Sequence, residues 1–133
     1  MVIRVQHLGN AKFSAATRGH VVICDQPPSN GGEDSGMTPP EFLLVSLGTC
    51  AGFYAAQYLK NHSLSAVGLE INVTAEKAKA PARLGSFRIE VIVPSLDASH
   101  EAGVLRAVHA CLIHNTLLNA PVIETVVHAP ALV

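Results

Sequence analysis

The chain has 133 residues, of which 49% are hydrophobic and only 14% charged, against about 25% charged in an average domain. That length fits a single domain over residues 1–133, with a core large enough to fold without disulfide or metal staples. Nine Lys and Arg stand against ten Asp and Glu, a net charge of −1, which excludes the basic footprint of a nucleic-acid binder or of a membrane-surface protein.

Val2 to His7 alternates weakly and predicts a strand, closed by the Gly9-Asn10 turn signal. Lys12 to Thr17 predicts a second strand, Arg18-Gly19 a tight turn, and His20 to Asp25 a third strand, together a meander. Gln26 to Met37 (QPPSNGGEDSGM) is rich in Pro, Gly and Ser and reads as a loop. A helix then starts cleanly. Thr38 fits the N-cap, Pro39 the first helical position, and Glu41 completes a T-x-x-E capping box. The pattern carries this helix to about Asn61. Phe42 to Leu59 holds 18 residues without a charge, but Ser46, Gly48, Thr49, Gly52 and Gln57 fit a helix buried on all sides better than a membrane span.

Leu69, Ile71 and Val73 alternate with Glu70, Asn72 and Thr74 in a strand with one wet face. Phe87, Ile89, Val91 and Val93 alternate in its partner, and Lys77 to Gly85 joins the two. A second helix is expected from Asp97 towards Leu118, with Val104, Leu105, Val108, Cys111 and Leu112 on one face. Asn119-Ala120-Pro121 ends it, and Val122 to His128 reads as a last short strand. The order βββ-α-ββ-α-β argues an α+β fold and not a doubly wound α/β sheet.

Three cysteines, Cys24, Cys50 and Cys111, lie far apart with no CxxC. An odd, sparse count is not a secreted disulfide framework. The first ten residues carry no charged leader before an apolar run, so no signal peptide is expected and a cytoplasmic location is. With so few charges, polar groups cover a lone sphere poorly, and a two-fold homodimer is expected to hide apolar surface.

Cys50 falls in the middle of the first helix and Cys111 on the apolar face of the second. Each alone reads as a small buried hydrophobe. Together they offer a redox pair, because small residues (Ala51, Ala55, Ala107, Ala110) let two helices approach closely enough for a disulfide. In such a pair one thiolate attacks a peroxide and becomes a sulfenic acid, and the second thiol condenses with it. An outside thiol then reduces the bridge. The attacking sulfur has to ionise, and burial opposes that. Cys50 lies too far along its own helix for that helix's dipole to help, which makes an Arg the expected supplier of positive charge.

The segment TPPEFLLVSLGTCAGFYAAQYL, followed by ACLIHNTLLNAPVIETVV, resembles the OsmC/Ohr family of thiol-dependent peroxidases over nearly the whole chain. The resemblance implies an intertwined homodimer with active sites at the subunit interface and two central helices. It implies Cys50 as the peroxidatic cysteine, Cys111 as the resolving one, and Arg18, held by Glu41, as the polarising group. It also implies an organic hydroperoxide as substrate and a dithiol or thiol as reductant; no cofactor and no metal are expected. Leu112 stands where the family pattern usually has Pro, and the Glu41-to-Cys50 spacing is one residue short of the best-characterised branches. This chain therefore looks more like a divergent OsmC-like branch.

Two of these assignments have plain structural alternatives. Nine residues of straight helix span ~13.5 Å and place Glu41 opposite Cys50, so Glu41 is equally the carboxylate of a capping box. Arg18 is equally a solvated hairpin residue beside Gly19. Among seven histidines, His109-x-Cys111-x-x-His114 is the densest cluster, but on a continuous helix His109 points away from the other two, and no zinc spacing occurs. Cys24, at the end of a strand, reads as structural. Leu47, Phe53 and Tyr54 flank Cys50 as core residues and candidate lining of an apolar pocket. The rival to the peroxidase is a non-catalytic dimeric module that holds a small apolar ligand, with the cysteines as packing residues.

Overall fold

The first three strands form the expected meander. β1 (Arg4–Gly9), β2 (Lys12–Thr17) and β3 (His20–Cys24) pair antiparallel in that order in a computed structural model that describes residues 1–132. Thr17 pairs with His20, leaving Arg18 and Gly19 as a two-residue turn. Both have positive φ, 50° and 80°, the geometry that matches the twist of the flanking strands.

The loop after β3 is organised by one carboxylate. Asp25 is 1% exposed. It accepts the N–H groups of Gln26, Glu33 and Ser35 at 2.8, 3.2 and 3.1 Å and the Ser35 hydroxyl at 2.6 Å. The Ser35 hydroxyl is the largest influence on its acidity. Together with the three N–H groups it outweighs burial and holds the carboxyl well below the usual range. The Asp25 N–H donates to Met37 O at 3.2 Å, which ties the two ends of the loop together.

α1 (Pro39–Asn61) begins where the capping box predicts. The Glu41 carboxylate accepts from the Thr38 N–H at 2.9 Å and from its hydroxyl at 2.8 Å. Leu47, Ala51, Ala55 and Leu59 are buried at a spacing of four residues, one stripe of the helix. Among the described residues α1 is the one helix long and apolar enough to cross a membrane; here its stripe is the centre of the core. β4 (Glu70–Ala78) and β5 (Arg83–Ile92) form a long antiparallel hairpin, and Ile71, Ile89 and Val91 pack against that stripe. The connection between them is shorter than the pattern predicts, because both strands extend into the polar segment.

The second helix differs from its expectation. Asp97 does cap, accepting the Ser99 N–H at 2.9 Å, but the helix is divided. A 3-10 turn (Ala98–His100) leads into α2 (Glu101–His109); the chain breaks at Ala110 and Cys111; α3 (Leu112–Leu118) follows. α2 contributes Val104 and Val108 to the core and lies close on α1 at Gly103. A Cβ there would collide with the Tyr58 ring and hydroxyl. The same hydroxyl lies 2.8 Å from His100 Nδ1.

The expected strand at Val122 to His128 is not formed. Residues 120–132 have no regular structure, and Val122, Ile123 and Val127 are 97%, 83% and 89% exposed. A strand needs a neighbour to satisfy its backbone, and among the described residues none pairs with this segment. The architecture is therefore mixed α+β, with three α-helices and two small sheets among the described residues.

Candidate functional site

The site is built at the break between α2 and α3. Cys111 adopts an extended conformation (φ −57°, ψ 128°) and serves as the N-cap of α3. Its Sγ accepts the His114 N–H at 3.4 Å, doing with sulfur what Ser or Asp does with oxygen at other helix starts. The break aims the first turn of α3 at α1. There the Cys50 sulfur meets the Cys111 thiol and the N–H groups of Ile113 and Leu112. Cys50 is half-buried, Cys111 is fully buried, and both are free thiols.

This arrangement makes the two sulfurs unequal. Burial pushes the Cys50 thiol up, but the donated Cys111 S–H and the Ile113 and Leu112 N–H groups outweigh it, so its pKa falls below the ordinary thiol value. Burial pushes the Cys111 thiol up as well. Its role as donor to Cys50 pushes further in the same direction, against the Ile113 and His114 N–H groups, and the net shift is upward. The pair is therefore asymmetric, with Cys50 losing its proton more readily than Cys111. The positive end of a helix does reach Cys50, but from α3 and not from α1.

Arg18 and Glu41 lie elsewhere within this chain. Arg18 is exposed at the tip of the β2–β3 turn. Glu41 is exposed at the start of α1 and engaged by Thr38. Among the described residues the ion pairs are Lys12–Glu33 and Arg88–Glu90, each at 3.0 Å, and neither involves a cysteine neighbour. Cys24 is half-buried where β3 bridges to Met37.

The sequence reading missed what the break does to the histidines. With the helix divided, His109 and His114 no longer point apart. Their rings stack at a centroid distance of 5.2 Å and an angle of 11°. The available signal was Cys111-x-x-His114, the N-cap to N3 spacing of a helix start. Among the described residues no three His, Cys, Asp or Glu side chains gather as a metal-binding group.

Beside the site runs a groove of about 1140 Å³ between α1, α2, α3 and β5. Leu43, Leu47, Phe87, Val104, Val108 and Leu117 give it apolar walls, and His109 and His114 also line it. Of the expected pocket residues, Leu47 does line this groove. Phe53 is instead 61% exposed, edge-on to Tyr54 at 5.3 Å.

The fold has solved relatives. A Psychrobacter arcticus protein of the osmotic stress and detoxification response superposes with a TM-score of 0.79 at 20% identity, covering 87% of each chain. An OsmC-like protein from Mycoplasma pneumoniae gives 0.74 at 19% identity, covering 90% of this chain and 87% of that one. An organic hydroperoxide resistance protein OsmC from Legionella pneumophila gives 0.63 at 12% identity, covering 89% and 88%. No curated protein sequence matches the chain. The family model for OsmC-like proteins matches residues 32–126, a span that includes both Cys50 and Cys111. The chain belongs to the OsmC-like protein family.

Proposed function

We propose that this protein is a thiol-dependent peroxidase that reduces organic hydroperoxides. The carrying observation is the meeting of two free thiols, Cys50 on α1 and Cys111 at the N-cap of α3, with the Leu112 and Ile113 N–H groups of α3 beside Cys50. The Cys50 thiolate attacks one oxygen of the hydroperoxide. The O–O bond breaks, the alcohol leaves with a proton, and Cys50 becomes a sulfenic acid. Cys111 attacks that sulfur, a disulfide forms, and water leaves. An outside dithiol or thiol reduces the bridge by exchange and is itself oxidised.

The apolar groove favours a hydroperoxide with a carbon tail over hydrogen peroxide, because burying that tail is favourable. In this reading Arg18 polarises the peroxide and Glu41 orients it. Neither touches Cys50 within one chain, so Arg18 arrives from the second copy of a homodimer. A reducing cytoplasm suits a cycle that starts from free thiols, and the whole chain acts as one OsmC-like domain.

The apolar groove also fits the rival reading, a non-catalytic module that holds a small apolar ligand. Cumene hydroperoxide followed by non-reducing mass spectrometry decides between them. The peroxidase predicts loss of two hydrogens mapped to a Cys50–Cys111 bridge, together with peroxide consumption that Cys50→Ser abolishes. Unchanged thiols, or equal consumption by Cys50→Ser, would leave the module.

A further inference from the structure

The α2–α3 break leaves one polar atom unused. His114 Nδ1 is buried and, among the described residues, has no hydrogen-bond partner, a costly state that native proteins rarely keep without reason. His114 is the third residue of α3, and a helical side chain leans towards the N-terminus of its own helix. The residue at that N-terminus is Cys111, already held by the His114 N–H. The His114 ring is parallel to that of His109, the last residue of α2. The two imidazoles thus flank the break, with Cys111 in the chain between them.

Resolution has a proton to dispose of. Cys111 is fully buried, and its surroundings favour the thiol, whereas the thiolate is the form that attacks. We propose that His114 Nδ1 takes the Cys111 proton in the resolving step, with His109 holding the imidazole over the break. This inference rests on the peroxidase reading above. As the S–H proton moves to Nδ1, the Cys111 electron pair forms the S–S bond. The S–O bond of the Cys50 sulfenic acid breaks with its pair on oxygen. The imidazolium returns the proton to the departing hydroxide, and water leaves. No oxidant is consumed beyond the hydroperoxide that made the sulfenic acid.

The titratable groups facing His114 are His109 and Cys111 and, on the α2 side of the groove, Glu101. α1 and β5 line that groove with uncharged residues such as Leu43, Leu47 and Phe87.

The test follows the resolving step in the full-length protein. Cumene hydroperoxide at one equivalent oxidises Cys50, dimedone traps sulfenic acid that persists, and mass spectrometry counts bridge and adduct against time. The wild-type rate of bridge formation is expected to reach its plateau below the pH range in which an unassisted thiol ionises. His114→Asn is expected to resolve roughly 100-fold more slowly at pH 7, to accumulate the dimedone adduct, and to regain rate when imidazole is added. A His114→Asn rate equal to wild type overturns the assignment. So does a wild-type rate that climbs only through the thiol range near pH 8.5, a measurement that needs no variant to fold. A wild-type protein whose Cys50 gives neither adduct nor bridge overturns the peroxidase reading itself, and the two failures are thereby told apart.

Discussion

The Cys111 sulfur accepts the His114 N–H at 3.4 Å, so the proposed resolving thiol is also the cap that starts α3. Its two roles separate by substitution. Cys111→Ser keeps a cap, and a better one, so its stability is expected within about 0.5 kcal/mol of wild type or above it. Cys111→Ala removes the cap and is expected to cost about 1 kcal/mol, seen as a lower thermal midpoint. Both variants are expected to lose the proposed bridge and to accumulate Cys50 sulfenic acid.

The same pair of variants reads the acidity of Cys50. Its pKa lies below the ordinary value because donors to its thiolate outweigh burial. Iodoacetamide labelling against pH is expected to show a Cys50 midpoint below that of an ordinary exposed thiol in the wild type. The hydroxyl introduced by Cys111→Ser still donates, so that midpoint rises less than in Cys111→Ala. A midpoint that is equal in all three proteins would remove the Cys111 donor from the account.

Asp25 sets the acid limit of the loop before α1. Its carboxyl is held well below the usual range, by the Ser35 hydroxyl first and the three N–H groups with it. For a depressed carboxylate, the contribution to stability is complete above the unfolded value of about 3.9 and is lost as pH falls towards the folded one. Wild-type stability is therefore expected to decline below about pH 4. Asp25→Asn, which offers only one acceptor oxygen to these donors, is expected to be less stable at pH 7 and to show a flatter decline in acid. Thermal melts from pH 7 down to pH 2 check both. Parallel curves for the two proteins would mean that Asp25 does not carry this acid dependence.

What was legible in the sequence divides along physical lines. The β2–β3 turn, the capping box at Thr38 and Glu41 and the alternation in β4 and β5 are local, and local patterns survive tertiary packing. The meeting of Cys50 and Cys111 followed from two apolar helix faces and from the family resemblance. The break at Ala110–Cys111 did not follow, because Val104 to Leu112 keeps one helical face through it and Cys is not read as a cap. The stacking of His109 on His114 depends on that break, so it was hidden for the same reason. The Asp25 loop was read only as polar and Gly-rich, because its order comes from one buried carboxylate gathering donors up to ten residues away. The missing strand at Val122 to His128 fails for lack of a neighbour, a fact no pattern within the segment encodes.

That unpaired tail bears on the last prediction, the oligomeric state. The chain exposes 10064 Å², whereas a compact monomer of 14.0 kDa exposes about 6,700 Å². Counted over two chains, the excess of about 6,700 Å² reaches the upper end of obligate interfaces, which bury about 2,000–5,000 Å² or more in total. It is apolar in character: Val5, Val21, Val22 and Phe53 are all exposed, together with the tail residues Val122, Ile123 and Val127. A homodimer hides such a surface, and a tail with strand character fits pairing with a sheet of the second copy. Analytical ultracentrifugation is expected to give twice 14.0 kDa, and Phe53→Asp is expected to shift the protein towards monomer. Truncation after Asn119 discriminates most sharply. Every residue from Asn115 to Leu132 is exposed, so in a monomer the cut should leave thermal stability unchanged. In a dimer that pairs the tail it should weaken association and lower the midpoint in a concentration-dependent way. A monomeric wild type that is indifferent to the truncation would remove the second copy, and with it the route by which Arg18 reaches Cys50.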